Sequence, residues 1–151
     1  GFAQLFASFE LWKKGDTFGA SAFGAFALFW FSWAFIQLAP IVIKSLLLTS
    51  GLPMTEVDQL LIALLPAMSV AAGFWYLIIW GIIATLLTIV TFKIGVKGIT
   101  LVFILLDLTF FSIALIPGTI AGVITLLLGL ASLYLGVALI MDEVGKIKLP
   151  Y

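Results

Sequence analysis

Residues 119–141 read TIAGVITLLLGLASLYLGVALIM and contain no charged side chain. A helix needs about 20 apolar residues to cross a hydrocarbon core of about 30 Å, so this run alone predicts a transmembrane helix. A membrane β-barrel would instead show strands of about 10 residues in which apolar and polar positions alternate, and the run has no such alternation. The stretch therefore predicts an all-α integral membrane protein.

The remainder of the chain has the same apolar character. Hydrophobic residues make up 64% of the sequence and charged residues 9%, whereas soluble domains are roughly half apolar and a quarter charged. Three more runs are long enough to span a bilayer, at 18–38, 70–92 and 99–116. The four runs together predict a bundle of transmembrane helices that forms a single domain over residues 1–151.

A fifth apolar segment, residues 1–12, is too short to span. Twelve helical residues rise only about 18 Å, and the polar turn Lys13-Lys14-Gly15-Asp16 follows. The sequence also lacks an initiating Met and a signal-peptide pattern. We interpret residues 1–12 as the second half of a helix, and we expect a natural N-terminal portion before it that would bring the full-length chain to six spans.

The lysines predict the orientation in the membrane. When the ends of the spans are numbered alternately, six lysines fall on one side and Lys44 alone falls on the other. Cytoplasmic loops are enriched in Lys and Arg, so the C-terminus is predicted to be cytoplasmic. Lys44 lies in the segment 39–69, which contains three prolines and a glycine. We interpret this segment as an interfacial loop on the outer side.

Composition and motifs exclude several classes of function. The chain has no Cys and no His, which removes disulfides, Cys/His metal sites and His-based acid–base chemistry. Seven basic and seven acidic residues cancel, which argues against a nucleic-acid partner. Gly-rich phosphate loops, nucleophile elbows and paired acidic ligands are also absent from the sequence. We therefore predict neither an enzyme nor a protein with a metal or cofactor.

Asp107 is the only charged residue in the middle of a predicted span. An ionised carboxylate at the bilayer centre costs at least about 2.5 kcal/mol, so Asp107 should face the protein interior or water, or carry a proton. Two interpretations stay open. In the first, Asp107 is a proton-coupling or pore-lining residue, and in the second it makes an interhelical hydrogen bond to a Thr, Ser or Gln.

Small residues follow one face of the helix at 119–141. Their spacing of four, three, four, three and four keeps them aligned: Gly118, Gly122, Thr125, Gly129, Ser132 and Gly136. Small residues let helix backbones approach closely in lipid, so the stripe predicts packing against another helix or another subunit. Ala20 and Gly24 form a shorter version in the first full span. The alternative is that the glycines make room for a permeating solute.

Several short motifs lie along the chain: AQLFAS at 3–8, KKGDTFG at 13–19, Phe29-Trp30, Trp80-Gly81, ASLYL at 131–135 and DEVGKIKLP at 142–150. This set resembles the acetate uptake transporter family, also called succinate-acetate permeases, over essentially the whole chain. Two departures stand out. The acidic residue expected directly before the aromatic at Trp12 is Glu10 instead, and Ala138-Leu139 replaces a pair that is often Gly-Glu in relatives.

The resemblance implies six transmembrane helices per subunit, hexameric rings and a separate pathway through each subunit. It implies a narrow hydrophobic gate to which Phe26 and Leu106 would contribute, with Gln4 as a polar residue near the pathway. Phe26 stands where relatives usually carry Tyr, which removes a hydroxyl donor. The implied partners are acetate or related small carboxylates, protons and the lipid bilayer, and the implied location is the plasma membrane.

These observations predict transport of acetate or similar small monocarboxylates, with succinate as a further substrate, by a proton-coupled or channel-like pathway. A carboxylate that enters a dry gate loses its hydration, so polar groups must compensate or the acid must travel protonated. Asp107, next to Leu106, is the candidate that could hold such a proton. Two alternatives stay open: a channel for small neutral solutes such as water or ammonia, and a structural membrane subunit that transports nothing.

Overall fold

A computed structural model describes residues 1–63 and 73–151, and between these two ranges it gives only the helical course of the backbone. The described residues form helices and no strand. In chain order the helices are α1 (Phe2–Lys13), α2 (Thr17–Thr49), α3 (Met54–Ile94), α4 (Lys97–Leu115) and α5 (Thr119–Glu143). Helices with enough length and hydropathy to cross a membrane are α2, the part of α3 at Gly73–Ile94, α4 and α5. The predicted all-α fold with four spans and one short helix is confirmed.

The turn between α1 and α2 follows from its residues. Gly15 has a φ of +78°, a conformation that glycine adopts without steric cost. Asp16 then caps α2, because its Oδ1 accepts a hydrogen bond of 2.8 Å from the Gly19 N–H. The polar turn predicted after residue 12 therefore ends one helix and starts the next.

The structure corrects the prediction of an interfacial loop at 39–69. Residues 39–49 continue α2 and residues 54–63 begin α3, so the connection consists of residues 50–53. Pro40 lies inside α2, where it removes one backbone hydrogen bond, and the apolar residues after it continue the helix. The helix ends only where Gly51 adopts a φ of +86°. The predicted loop positions 64–69 lie outside the described residues.

At 33 residues, α2 is longer than one bilayer core. A rise of 1.5 Å per residue gives it a length of about 50 Å, against a core of about 30 Å. Its C-terminal part therefore extends beyond the hydrocarbon when its first part spans the membrane. Near that end, Lys44 Nζ donates to Asp58 Oδ1 at 2.9 Å and links α2 to the start of α3.

The chain forms two compact units, Gly1–Ser69 and Val70–Tyr151. In the first unit α1 packs against α2. In the second unit α5 packs against α4, and α3 contacts α4 through Gly81 and Thr88. Large apolar side chains remain exposed on α5, among them Leu126 at 62% and Leu133 at 67%. Such a surface is stable against lipid or other apolar protein, and unfavourable in water.

Candidate functional site

The interface between α1 and α2 is built from small residues. Ser8 Oγ donates a hydrogen bond of 2.7 Å to the carbonyl of Ala20. A Cβ placed on Gly24 would lie 3.0 Å from Ser8 Oγ, so only glycine leaves this approach unstrained. Ala20 is 3% exposed. The packing role predicted for Ala20 and Gly24 is therefore confirmed within the first unit.

This interface brings Gln4 and Phe26 to the same level. Leu11 contacts the position of Gly19, and Ser8 contacts Ala20 and the position of Gly24. In this antiparallel register, residue 4 lies beside the turn of α2 that contains Phe26. Both side chains are half-buried. A polar amide and an aromatic ring thus share one layer of the first unit.

The amide of Gln4 has an unmet hydrogen-bonding requirement. Its Oε1 is buried and accepts no hydrogen bond from any part of the chain that the structure describes. Buried polar atoms are nearly always paired, with protein or with ordered water, because an unpaired one costs about 1–3 kcal/mol. Gln4 is therefore suited to receive a donor from outside the chain, such as water or a protonated acid.

The contact between α3 and α4 places Asp107 opposite a threonine. Thr88 Oγ1 lies 2.7 Å from Asp107 Oδ2, and Thr88 is 5% exposed. One helical turn away along α4, the ring of Phe111 lies 2.9 Å from where a Cβ on Gly81 would be. The glycine lets the two backbones approach, and this approach brings the carboxyl and the hydroxyl together. The interhelical hydrogen bond expected by the second interpretation of Asp107 is present.

The second carboxyl oxygen of Asp107 is different. Oδ1 is buried and accepts no hydrogen bond within the described residues. An ionised carboxylate accepts on both oxygens, whereas a protonated one needs fewer partners. An ionised Asp107 would therefore need a further donor, such as water, at Oδ1.

Leu106 directly precedes Asp107 on α4 and is half-buried. Successive residues of an α-helix point about 100° apart, so Leu106 faces a different side of the helix from Asp107. An apolar group and a titratable group thus occupy one level of α4.

Three glycines of the α5 stripe have no close neighbour within the described part of their own unit. A Cβ added at Gly122, Gly129 or Gly136 would meet no atom within 4 Å in the described part of that unit. Gly118 differs, because it is the N-cap of α5 and has a φ of +135°. This positive φ explains why glycine occurs at position 118. The remaining stripe is an open face.

Sequence reasoning missed Thr88 as the partner of Asp107. Thr85, Thr88 and Thr91 recur every three residues in an otherwise apolar span, and this was the available indication. This spacing has a second explanation, since the hydroxyl of a threonine in a helix can donate to a backbone carbonyl of the preceding turn. Thr85 and Thr91 do this, to Gly81 O and Thr88 O respectively.

A cavity of about 540 Å³ lies elsewhere in the second unit, between the start of α4, α5 and the C-terminal tail. Lys97 is its charged lining residue. The tail is held there by Tyr134, whose hydroxyl donates to Pro150 O at 2.8 Å. Tyr151 donates to Asp142 Oδ2 at 2.6 Å, and this bond raises the pKa of Tyr151. The cavity includes none of the predicted gate residues.

The described residues contain no group of three or more His, Cys, Asp or Glu side chains that could hold a metal ion. The titratable chemistry of the spans is therefore that of single side chains. Among the predicted positions, Gln4 and Phe26 lie at one level of the first unit, and Leu106 and Asp107 are neighbours on α4 in the second.

Comparison with known proteins gives a family match and several relatives. Residues 1–146 match the family described as the GPR1/FUN34/yaaH family. An uncharacterized protein of Methanothermobacter thermautotrophicus is 34% identical over 99% of this chain and 71% of its own length. The succinate-acetate/proton symporter SatP of Escherichia coli K12 is 30% identical, over 99% of this chain and 73% of its own length. The same figures hold for SatP of Shigella flexneri. No solved structure matches the chain.

Proposed function

Because the chain belongs to the GPR1/FUN34/yaaH family, we propose that it is a multi-pass membrane transporter of acetate, succinate or similar small carboxylates. The likeness to SatP along nearly the whole chain carries this proposal. The apolar spans, with few polar groups between them, support a pathway for a small solute. The activity is movement of the solute and involves no chemical change, so we do not propose an enzyme.

We propose further that transport is coupled to protons and that Asp107 is the coupling residue. The SatP relatives are named as proton symporters. Asp107 lies within a span and has a hydroxyl partner at Oδ2, and its Oδ1 has no partner among the described residues. An intramembrane carboxyl in such surroundings can alternate between a protonated and an ionised form as water or substrate arrives. A passive, channel-like pathway is the alternative mechanism.

The gate, in this proposal, consists of Phe26 and Leu106, with Gln4 as a polar residue beside it. The shared level of Gln4 and Phe26 supports this assignment, because a carboxyl group passing an aromatic ring would meet an amide there. Gln4 Oε1, which has no partner among the described residues, could accept a hydrogen bond from a protonated acid.

Replacing Phe26 by Tyr should change substrate preference more than stability. The added hydroxyl can donate to a carboxylate in an apolar constriction, where such a bond is worth about 1.5–3 kcal/mol. We expect the ratio of succinate to acetate uptake to change at least about threefold, measured as the ratio of the two initial rates. Phe29→Tyr, on the same helix and 8% exposed in the native protein, is the control. Equal ratios in the native protein and Phe26→Tyr would remove Phe26 from the gate.

The test of the main proposal is uptake of labelled acetate and succinate into proteoliposomes made with the full-length gene product. Each substrate is measured with and without an inward proton gradient. Protein-free liposomes are the control for acetate, since undissociated acetic acid also crosses lipid. Succinate gives the cleaner signal, because both of its carboxyl groups must be protonated before it can cross lipid unaided.

Accumulation of succinate above equilibrium under a proton gradient would establish coupled transport. Uptake that reaches equilibrium at the same rate without a gradient would indicate a channel. If folded protein took up neither acid, the carboxylate proposal would be wrong, and water or ammonia flux would be the next measurement.

We also propose a hexamer in the plasma membrane with a cytoplasmic C-terminus. The open glycine face of α5 supports assembly, and the six lysines on one side support the orientation. Residues 1–151 contain no cysteine, so Lys148→Cys adds one that an impermeant thiol reagent can label, with the native protein as the control. Labelling of intact cells from outside would contradict the orientation.

A further inference from the structure

The hydroxyl of Thr88 lies between two acceptors on two helices. Its Oγ1 is 2.7 Å from Asp107 Oδ2 and 3.0 Å from the carbonyl oxygen of Ala84. A threonine hydroxyl has one proton to donate, so it cannot donate fully to both acceptors at once. Its position therefore permits two hydrogen-bonding arrangements with the same heavy atoms.

The two arrangements correspond to the two charge states of Asp107. When Asp107 is ionised, Thr88 donates its proton to Oδ2. When Oδ2 carries a proton, Asp107 donates to Thr88 Oγ1, and the Thr88 hydroxyl rotates to donate to Ala84 O. Both arrangements satisfy every hydrogen at the contact, and they differ by the proton on Asp107 and by a rotation of the Thr88 hydroxyl about its C–O bond.

We propose that Thr88 is a positioning residue that sets the pH at which Asp107 binds and releases its proton. Its consequence for transport depends on the coupling role proposed above for Asp107, whereas its effect on the carboxyl itself does not. Hydrogen bonds to a charged acceptor are roughly twice as strong as neutral ones. Thr88 therefore favours the ionised form over the protonated form, while providing a partner for both.

Few other charges act on this contact. Within the described residues of α3, Lys93 is the charged side chain of Gly73–Ile94, and it lies more than one turn beyond Thr88. On α4 the other charged residue is Lys97, about 15 Å away along the helix. Residues 119–141 of α5 contain no charged side chain, and Thr85 is the other polar group beside the carboxyl. Among the polar side chains of the described residues, Thr88 therefore makes the defined hydrogen bond to Asp107, at 2.7 Å.

The test is an infrared titration of the full-length protein in lipid, with no substrate present. The C=O band of a protonated carboxyl, assigned to Asp107 by its loss in Asp107→Asn, is followed against pH. Thr88→Val keeps the shape of the side chain and removes the hydroxyl. We expect the midpoint of the band to rise by about one pH unit, the difference between a charged and a neutral hydrogen bond. If transport is proton-coupled, the pH of half-maximal uptake should rise equally.

Two controls separate this role from packing. Thr88→Ser retains the hydroxyl and should keep the native midpoint. Thr91→Val removes a fully buried hydroxyl that donates only to the backbone, and it should also keep the native midpoint. Thr88→Ala provides a second hydroxyl-free variant if Thr88→Val does not fold. A native midpoint in a folded hydroxyl-free variant would overturn the proposal, even if uptake were normal.

Discussion

Asp107→Asn is expected to abolish proton-driven accumulation of succinate while leaving a folded protein. Asparagine matches aspartate in size, and its carbonyl oxygen can still accept the Thr88 hydroxyl. It cannot bind and release a proton, however, so the gradient no longer drives the substrate. A gradient of one pH unit supports about tenfold accumulation for each coupled proton, and the variant should return to a ratio of about one.

The measurement is the ratio of internal to external succinate at steady state, with the proteoliposomes described above. The melting temperature of the purified variant is recorded as well, since the new NH₂ group at the Oδ1 position costs about 1–3 kcal/mol if it stays unpaired. Asp58→Asn is the matched control, because Asp58 forms an exposed ion pair with Lys44 near the helix ends. Native accumulation in Asp107→Asn would show that Asp107 does not couple transport to protons.

The double substitution Gly122→Leu and Gly129→Leu is expected to dissociate the proposed hexamer without unfolding the subunit. Among the described residues of its own unit, neither position has an atom within 4 Å of an added Cβ. Leucine is also a better helix former than glycine, by about 1 kcal/mol per position. Each subunit should therefore tolerate the change, whereas a close contact across glycines would be blocked by two large side chains.

Mass photometry of the protein in detergent or nanodiscs gives the outcome directly, as a shift from hexamer mass to monomer mass. Val123→Phe adds bulk to α5 at an exposed position away from the stripe, so it should leave the assembly intact. A hexamer that persists in the double variant would move the interface to another surface. A monomeric native protein would contradict the proposed assembly itself.

The spans were predictable from the sequence because a bilayer imposes a simple requirement. Residues 99–116 and 119–141 became α4 and α5 with boundaries that moved by two residues or fewer. The structure of the segment 39–69 was harder to predict, since Pro40 suggests that the helix ends there. Whether a proline ends a helix depends on whether the following residues still gain from helical packing, which local sequence does not reveal.

The candidate site was likewise predictable only in part. Asp107 stands out in the sequence, because a charged residue in an apolar span always needs an explanation. Its partner does not stand out, since Thr85, Thr88 and Thr91 are chemically alike. The register between α3 and α4, with Gly81 against Phe111, selects Thr88 for the carboxyl.

The sequence by itself determined that this is a helical membrane protein and to which family it belongs. These properties depend on the composition and order of residues along one chain. Tertiary structure alone decided which polar atoms meet: Ser8 with Ala20, Thr88 with Asp107, and no described partner for Gln4 Oε1 or Asp107 Oδ1. The physical reason is that a hydrogen bond requires atoms within about 3 Å of each other. Helix periodicity specifies the face on which a residue lies, and the packing of two helices specifies what lies opposite.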